Sequence, residues 1–418
     1  MKNVITILLI FMPWVTYAQE ELTLNKCYEL VNANYPLNKQ IEYMSQQNSI
    51  DVSVIKASKL PQLEFSAQAT YQSDVIEFPF SFPGSRVEPP NNDQYKATVS
   101  ANQILYGGGV IDKAINLKEA ELKVKQKQVE VSLYQLKKQV NQLYFSILLL
   151  QEKQDLIKAR SEQLESKLKE VKAAIKYGVV LPAADKMIEA ELLQIEQQSI
   201  EITQNKTSFI NTLSELIGKE ISLNTELQST IISSDNNSEN MRPELELFQL
   251  EKSKIELSEK LIRNQNSPKL MGFGTGGYGN PGLNMLDNSF QPYYLVGLKL
   301  NWNIFDWNVS KNKRKSLLIN KSIIDNQQEI FELNTTIELN QHQSEINKIN
   351  EFIKSDNEII ELRKIILKTA DAQLKNGVIT SSAYIIELTN LFEAVNNLKT
   401  HEIQLLLTKA NYNVTLGN

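Results

Sequence analysis

The chain has 418 residues, of which 42% are hydrophobic and 22% are charged, enough apolar material for a sizeable core and too much for a disordered chain. Its 44 Lys and Arg against 49 Asp and Glu give a net charge of −5, which disfavours nucleic-acid binding. One cysteine and two histidines exclude an intrachain disulfide and a cysteine-based metal site. The composition therefore disfavours an enzyme, and it predicts neither a cofactor nor a bound metal.

Residues 1–18 have the pattern of a secretory signal peptide. Lys2 supplies the positive start, Val4 to Trp14 form an apolar run, and small residues precede a cleavage site after Ala18. The apolar run is shorter than the roughly 20 residues that a spanning helix needs, which disfavours an N-terminal membrane anchor. No later stretch reaches spanning length, so we expect an exported chain without membrane-spanning helices.

The rest of the chain is two copies of one unit. Pro36 and Pro61 correspond to Pro243 and Pro268 at an offset of 207 positions, and from about Leu105 onward the offset is 199. The first copy therefore carries eight extra residues between Pro61 and Leu105. We assign residues 19–218 to a first repeat, 219–241 to a connector rich in Ser and Asn, and 242–418 to a second repeat. Each repeat is predicted to hold a short helix, a strand pair (about 61–106 and 268–305) and a long helix hairpin (about 108–217 and 307–417).

One very long helix is predicted in each repeat. No proline or glycine interrupts the stretch from Val110 to Tyr177, which at 1.5 Å per residue is about 100 Å of helix. Apolar residues recur every 3.5 positions, the spacing of a coiled-coil seam. The seam positions of the first copy are Val129, Leu133, Leu136, Val140, Leu143, Ile147, Leu150, Ile157, Leu164, Leu168, Val171 and Ile175. The second copy keeps the same phase, with Asp356 and Arg363 as weak points, and a second helix returns in each repeat to make a long antiparallel hairpin.

The segments before the long helices alternate apolar and polar residues over about ten positions, as in Leu63 to Gln72 and Tyr294 to Ile304. This pattern suits a half-buried soluble sheet or a membrane barrel with a wet interior. The first strand of the second copy is rich in glycine, between Gly272 and Gly279. Since the smallest membrane barrel has about 8 strands, four strands close a barrel only with strands from other chains.

The turns between the long helices are predicted at Gly178 and Gly377, because such a turn needs a residue that tolerates positive φ. The residues of the two turns are Tyr177, Gly178, Val179, Val180, Leu181 and Asn376, Gly377, Val378, Ile379, Thr380. Their apolar members either dock a partner or pack within the hairpin ends. Pro182 and Ser381-Ser382 are expected in the first turn and cap of the returning helices.

The other candidate motifs do not indicate a catalytic or ligand-binding site. Gly107-Gly108-Gly109 precedes a helix but lacks the lysine of a phosphate loop, and we interpret it as the bend from strand to helix. His342 occupies a seam position equivalent to Leu143, and His401 has no carboxylate and nucleophile nearby in the sequence to indicate a triad.

The duplicated order of short helix, strand pair, long helix, glycine turn and returning helix, behind a signal peptide, resembles the TolC-like outer-membrane efflux proteins. The resemblance is carried by Leu24 to Leu37, Leu60-Pro61, Leu105 to Gly109 with Ile304-Phe305-Asp306-Trp307, the two glycine turns, and the closing Gly218 and Gly417. It implies a mainly α-helical fold with membrane β-structure, a homotrimer whose α-barrel is continuous with a 12-stranded outer-membrane β-barrel. Gly107, Gly108, Gly109 and Asp306 would then be the strand-to-helix joints.

The same resemblance implies a channel of a tripartite efflux or type I secretion system, in the outer membrane and extending into the periplasm of a Gram-negative bacterium. The glycine turns would dock a periplasmic adaptor (a membrane fusion protein) that is fed by an inner-membrane pump. Some family members carry aspartates after the second glycine turn, but this chain has Ala383-Tyr384-Ile385-Ile386 there. Asp185, Glu189 and Glu387 are the nearby carboxylates. They either face the lumen or, as we expect, lie on ordinary solvated faces. The alternative is a soluble periplasmic coiled-coil scaffold or adaptor.

Overall fold

The structure is a computed structural model that describes residues 22–76, 89–229 and 242–418. The expected signal peptide lies outside the described residues, as do positions 77–88 of the first strand connection and positions 230–241 of the expected connector.

Seven α-helices and four strands are found within the described ranges. In chain order they are α1 Leu24–Asn34, α2 Lys39–Ala57, β1 Gln62–Tyr71, β2 Asp93–Tyr106, α3 Val110–Lys176, α4 Ala184–Ile217, α5 Pro243–Gln265, β3 Lys269–Asn280, β4 Gln291–Asn301, α6 Val309–Lys375 and α7 Ser381–Leu416. The predicted fold class, long helices in two repeats with a small antiparallel sheet, is confirmed.

These elements form two compact units. The helical unit holds residues 22–36, 133–229 and 335–418, and the sheet unit holds residues 37–76, 89–132 and 242–334. The helical unit contains α1, α4, α7 and the C-terminal parts of α3 and α6. The sheet unit contains the four strands, α2, α5 and the N-terminal parts of α3 and α6.

The core of the helical unit is the predicted coiled-coil seam. The buried seam residues of α3 and α4 are Leu133, Val140, Leu143, Ile147, Ile157, Leu164, Val171, Ile188, Ile195, Leu213 and Leu216. Those of α6 are Ile346, Ile349, Ile360, Leu367, Ala370 and Leu374. An apolar residue every 3.5 positions falls on the same face of the helix. Each long helix therefore buries a continuous apolar stripe against its neighbours.

A buried pair explains the polar break in the second seam. Asp356 is buried at a seam position, and its Oδ2 lies 2.6 Å from Nδ1 of His401 on α7. The helix hairpin thus gives His401 a carboxylate neighbour that lies 45 positions away in the sequence. His342 is packed, as expected for a seam position, with its Nε2 3.5 Å from Glu338, and burial lowers its pKa despite that carboxylate.

The four strands form one antiparallel sheet in the order β1-β2-β3-β4. The pairings β1–β2 and β3–β4 are the two predicted hairpins, and β2–β3 joins the repeats, with the Ser100 and Thr275 hydroxyl oxygens 3.1 Å apart. β4 ends at Asn301 instead of near Ile304, because its neighbour β3 begins at Lys269, which pairs with Asn301. β2 continues to Tyr106 through a bulge beside β3.

Alternation along the strands separates a polar face from an apolar face. Register places Leu63 opposite Ala101, Phe65 opposite Val99 and Leu270 opposite Leu300, all on the apolar face. Most of the large side chains of this face are exposed in the single chain, and Phe65 and Val296 are 72% and 75% exposed.

Candidate functional site

The two turns between the long helices have the same backbone conformation. Gly178 and Gly377 both have φ of 71°, and each follows a helix whose last carbonyls are satisfied in the same way. In the first turn Gly178 N donates to Ile175 O (3.0 Å) and Val179 N donates to Ala174 O (2.9 Å). In the second turn the corresponding bonds are 3.0 Å from Gly377 and 2.8 Å from Val378. Both turns are therefore Schellman motifs, in which the left-handed residue favours glycine.

Within the helical unit the two turns lie side by side. A Cβ placed on Gly377 would lie 3.4 Å from Val179 O, so the second turn contacts the first. Both turns and the first residues of α4 and α7 line a cleft of about 410 Å³. Its walls include Val179, Leu181, Val378 and Thr380. We call this group of residues, 177–184 and 376–381, the hairpin tip.

The apolar residues of the hairpin tip divide into an inner and an outer set. Val180 and Ile379 pack against the buried seam cluster. Tyr177, Leu181 and Val378 are 79%, 74% and 69% exposed, and Val179 is also exposed. Val180 and Ile379 thus pack within the hairpin ends, as one of the two alternatives expects, and the other apolar residues of the turns do not. The outer set is an apolar surface open to solvent, the kind of patch that marks an interaction site.

The two returning helices begin differently. The N-cap of α7 is Thr380, whose Oγ1 accepts from Ala383 N at 3.3 Å. Ser381 and Ser382 therefore lie in the first turn of the helix, as expected, but do not cap it. α4 begins at Ala184 after Ala183, which has φ of 72° and makes no side-chain capping bond. Pro182 therefore precedes the helix instead of opening it.

The carboxylates near the hairpin tip are bound to cations of the same chain. Glu189 accepts from Lys172 (2.8 Å) and Lys186 (2.7 Å), and these hydrogen bonds, that of Lys172 first, lower its pKa to about 2. Glu387 lies 3.4 Å from Arg363. Asp185 is 3.8 Å from Lys186. All three carboxylates are therefore ion-paired within the chain.

The strand-to-helix joint of the first repeat depends on two glycines. Gly108 and Gly109 have φ of 63° and 75°, and a Cβ on Gly108 would lie 2.4 Å from the Cβ of Ser267. Asn264 Nδ2 donates to Gly108 O at 2.8 Å, which ties the joint to the end of α5. Gly107 has no positive φ, and a Cβ there would make only an ordinary contact with Ile104.

The joint of the second repeat has the same backbone and different side chains. Trp307 and Asn308, which correspond to Gly108 and Gly109, have φ of 51° and 62°. Asp306 Oδ2 accepts from Asn266 Nδ2 (2.8 Å) and from Ser310 N (2.9 Å), at the start of α6. The hydrogen bonds from Ser310 and Asn266 lower the pKa of Asp306 to about 2.

The end of α5 thus contacts both joints, through Asn264 in one and Asn266 in the other. Sequence reasoning missed these asparagines. The available signal is their position at the end of α5, immediately before Ser267-Pro268, where a helix stops and short polar side chains bind free backbone groups.

Neither a metal centre nor a helical membrane span was found in the part of the chain that the structure describes. Residues 22–76, 89–229 and 242–418 contain no group of three His, Cys, Asp or Glu side chains arranged to hold a metal ion. In the same ranges, no helix combines the length and the apolar character needed to cross a membrane.

The sequence was compared with protein-family models and with curated proteins. Residues 39–219 match the family model described as outer membrane efflux protein. No curated protein sequence matches the chain significantly.

Solved structures resemble the chain over nearly its whole length. The structure of CusC superposes with a TM-score of 0.72 at 12% identity, covering 96% of this chain and 93% of CusC. VceC of Vibrio cholerae gives 0.68 at 14% identity, covering 94% and 96%. CmeC, an outer membrane channel of Campylobacter jejuni, gives 0.66 at 15% identity, covering 94% and 85%. The resemblance to the TolC-like outer-membrane efflux proteins is thus confirmed, by the family model over the first repeat and by the fold over the chain.

Proposed function

We propose that this chain, whose first repeat matches the outer membrane efflux protein family, is the outer-membrane exit duct of a tripartite efflux or type I secretion system. It would carry substrates from a periplasmic adaptor and an inner-membrane pump to the outside. The duct itself needs no catalytic site, since the pump supplies the energy, and the matched family is one of channels, not of enzymes.

The observation that carries the proposal is the open apolar face of the sheet. Phe65, Val99, Tyr294, Val296 and Leu298 are large, exposed and on one face. Exposing such a face to water would be unfavourable, at roughly 25 cal/mol for each Å² of apolar surface. In a lipid bilayer the same face is matched by acyl chains, and the polar face is matched by a wet interior.

The sheet also supports assembly with other copies. β1 and β4 each pair with a single strand among the described residues, so one edge of each is open. Backbone groups at an open edge must be satisfied inside a membrane, and only closure of the sheet achieves this. Three chains with four strands each give the 12 strands that the family's channels imply, so we propose a homotrimer with twelve strands in the barrel and twelve long helices in a periplasmic tunnel.

The hairpin tip is the proposed docking site of the adaptor. Tyr177, Val179, Leu181 and Val378 are exposed although the neighbouring Val180 and Ile379 are packed. The Schellman turns hold these side chains at fixed positions, which favours a preformed interface. We propose that an apolar surface of a periplasmic adaptor covers them.

Fractionation and electron microscopy test the duct. The protein should be found in the outer-membrane fraction, and particles extracted in detergent should be hollow and threefold symmetric. A monomer in the soluble periplasmic fraction would overturn the proposal and would favour the periplasmic scaffold.

Charge substitution tests the docking site. Val378→Asp should abolish export and adaptor pull-down, because a carboxylate at the centre of an apolar interface is desolvated without a partner. Val378→Ile is the matched control, since it keeps an apolar side chain at the same position. Both variants should remain trimeric in the outer membrane; loss of the trimer in Val378→Asp would show that the hairpin tip serves folding instead of docking.

A further inference from the structure

Four cations are clustered at the start of α6, directly after the second strand-to-helix joint. Positions 311–315 are Lys311-Asn312-Lys313-Arg314-Lys315, and no Asp or Glu occurs between Asp306 and Asp325. The chain as a whole carries a net charge of −5, so this run of positive charge opposes the overall balance. The first repeat has Asp112-Lys113-Ala114-Ile115-Asn116 at the corresponding positions, with no net charge. The basic segment is therefore a property of the second repeat alone.

The lysines of this segment are not neutralised by the part of the chain that the structure describes. Further along α6, Lys321 pairs with Glu256 of α5 at 2.8 Å. Lys311, Lys313 and Lys315 are exposed, and none of them forms an ion pair within residues 22–76, 89–229 and 242–418. Three like charges within five residues repel one another, so an external anion at this place would be stabilising.

The helix period divides the lysines between two faces of α6. Lys311 and Lys315 are four residues apart and therefore share one face. Lys313 is two residues from each of them, which places it on the opposite face, at about 200° from Lys311. Arg314 borders the shared face and lies 3.7 Å from Glu259, so α5 covers that side of the helix. We call Lys311 and Lys315 the basic face.

Exposed aromatic residues lie between the apolar face of the sheet and this segment. Trp302 directly follows β4 and Trp307 precedes α6, and they are 56% and 82% exposed. Phe305 is also exposed, and its ring centroid is 4.9 Å from that of Trp307. Aromatic rings concentrate at the boundary between the hydrocarbon core and the headgroups of a membrane. In the proposed duct this end of the sheet faces the periplasm, so the rings mark the level at which the periplasmic headgroups begin.

We infer that the basic face binds the phosphate groups of anionic phospholipids in the periplasmic leaflet of the outer membrane. The inference rests on the proposed duct and names the class of lipid that contacts it. Lys311 and Lys315 are about 3 and 9 Å along the axis from Val309, the first residue of α6, and a headgroup layer is roughly 5–8 Å thick. The long flexible stem of lysine lets both ammonium groups reach phosphates in that layer. An anionic headgroup has negative charge left over for them, whereas a zwitterionic headgroup carries its own cation.

Tryptophan fluorescence tests the lipid preference. The chain has three tryptophans, and Trp14 belongs to the expected signal peptide, so emission from the mature chain comes from Trp302 and Trp307. The purified protein is reconstituted in phosphatidylcholine vesicles at low salt, with brominated phosphatidylglycerol or brominated phosphatidylcholine as the quencher. The brominated anionic lipid should reach half-maximal quenching at a lower mole fraction, by about fivefold, the contribution of one lysine near a charged surface. The preference should decrease in high salt, which screens the attraction.

Two double variants separate the basic face from charge in general. Lys311→Gln with Lys315→Gln should be quenched equally by the two lipids. Lys299→Gln with Lys313→Gln is the matched control, because it removes the same charge from the polar face of β4 and from the opposite face of α6. The control should keep the preference for the anionic lipid. All four side chains are exposed, so neither variant removes core packing.

Three results would overturn the inference. Equal quenching of the native chain by the two lipids, in a protein that fractionates with the outer membrane, would leave the proposed duct intact and remove the lipid site. A preference that persists without Lys311 and Lys315 but is lost in the control would assign the contact to the opposite face. A soluble monomer that neither lipid quenches would defeat both the duct and the inference, and fractionation separates that case from the other two.

Discussion

The two strand-to-helix joints follow the same backbone path with different chemistry. Gly108 and Gly109 in the first repeat and Trp307 and Asn308 in the second all have positive φ. In the first joint the neighbour Ser267 leaves no room for a side chain, whereas Trp307 is 82% exposed and stacks edge-on against Phe305 at 4.9 Å. The two repeats therefore share the backbone conformation of the joint. The free space beside each position determines which side chains can occupy it.

The two hairpin turns differ in a similar way after their common glycine. The second returning helix starts with a side-chain cap at Thr380, and the first starts without one, after a left-handed alanine. Equivalent elements of the two repeats are therefore stabilised by different interactions, and substitutions at equivalent positions should have unequal effects.

The largest expected effect is at the first joint. Gly108→Ala should lower the free energy of unfolding by about 2–5 kcal/mol, from left-handed strain of roughly 1–2 and overpacking against Ser267 of roughly 1–3. Thermal unfolding of the extracted protein measures the loss. Gly107→Ala is the control and should be nearly neutral, because a Cβ there fits. Equal losses of stability in Gly108→Ala and Gly107→Ala would show that the space beside the glycine does not determine the cost of a side chain there.

Removal of the cap should have a smaller effect. Thr380→Ala should lower the free energy of unfolding by about 1 kcal/mol, since Ala383 N loses its acceptor. Thr380→Ser keeps the hydroxyl and serves as the control. The same unfolding measurement applies, and an unchanged midpoint for Thr380→Ala would show that water replaces the hydroxyl without cost.

Relief of strain in the first turn should stabilise the chain. Ala183→Gly should raise the free energy of unfolding by less than about 1 kcal/mol, because the left-handed strain of an L-residue is partly offset by the entropy of an added glycine. Ala184→Gly, one residue into α4, should instead be destabilising. A loss of stability in Ala183→Gly would mean that the flexibility of glycine outweighs the strain.

The smallest effect should come from the exposed carboxylate of the second joint. The pKa of Asp306 is lowered from 3.8 to about 2, so its stabilisation is present above the ordinary pKa and is lost as the pH falls through the lowered one. Asp306→Asn should therefore unfold at a slightly lower temperature than the native chain at pH 7. The difference should close between about pH 4 and pH 2, and a difference independent of pH would assign it to geometry instead of charge.

The sequence was a good guide wherever one period repeats over many residues. The seam from Val129 to Val171 and its second copy predict the buried stripe because a long helix has one way to bury an apolar line every 3.5 residues. The glycine turns were predicted for a similar reason, since a positive φ leaves few choices. Trp307 and Ala183 adopt the same region without any signal in the sequence.

Contacts between segments that are distant in the sequence could not be predicted from the sequence. Nothing in the separate segments indicates that Asp356 meets His401, that Asn266 binds Asp306, or that Arg160 reaches Phe392. Each pair depends on which helices are neighbours and on their rotation, which a pattern along one helix does not contain.

By itself, the sequence determined the period, the duplication and the places where the chain turns, because these follow from local sterics and from the need to hide an apolar stripe. Only the tertiary structure decided that β2 pairs with β3 across the repeats, and that buried cations join the two hairpins. The physical reason is that strand pairing and ion pairing are satisfied by whichever partner the fold brings near, and many partners in the sequence are chemically equivalent until packing selects one.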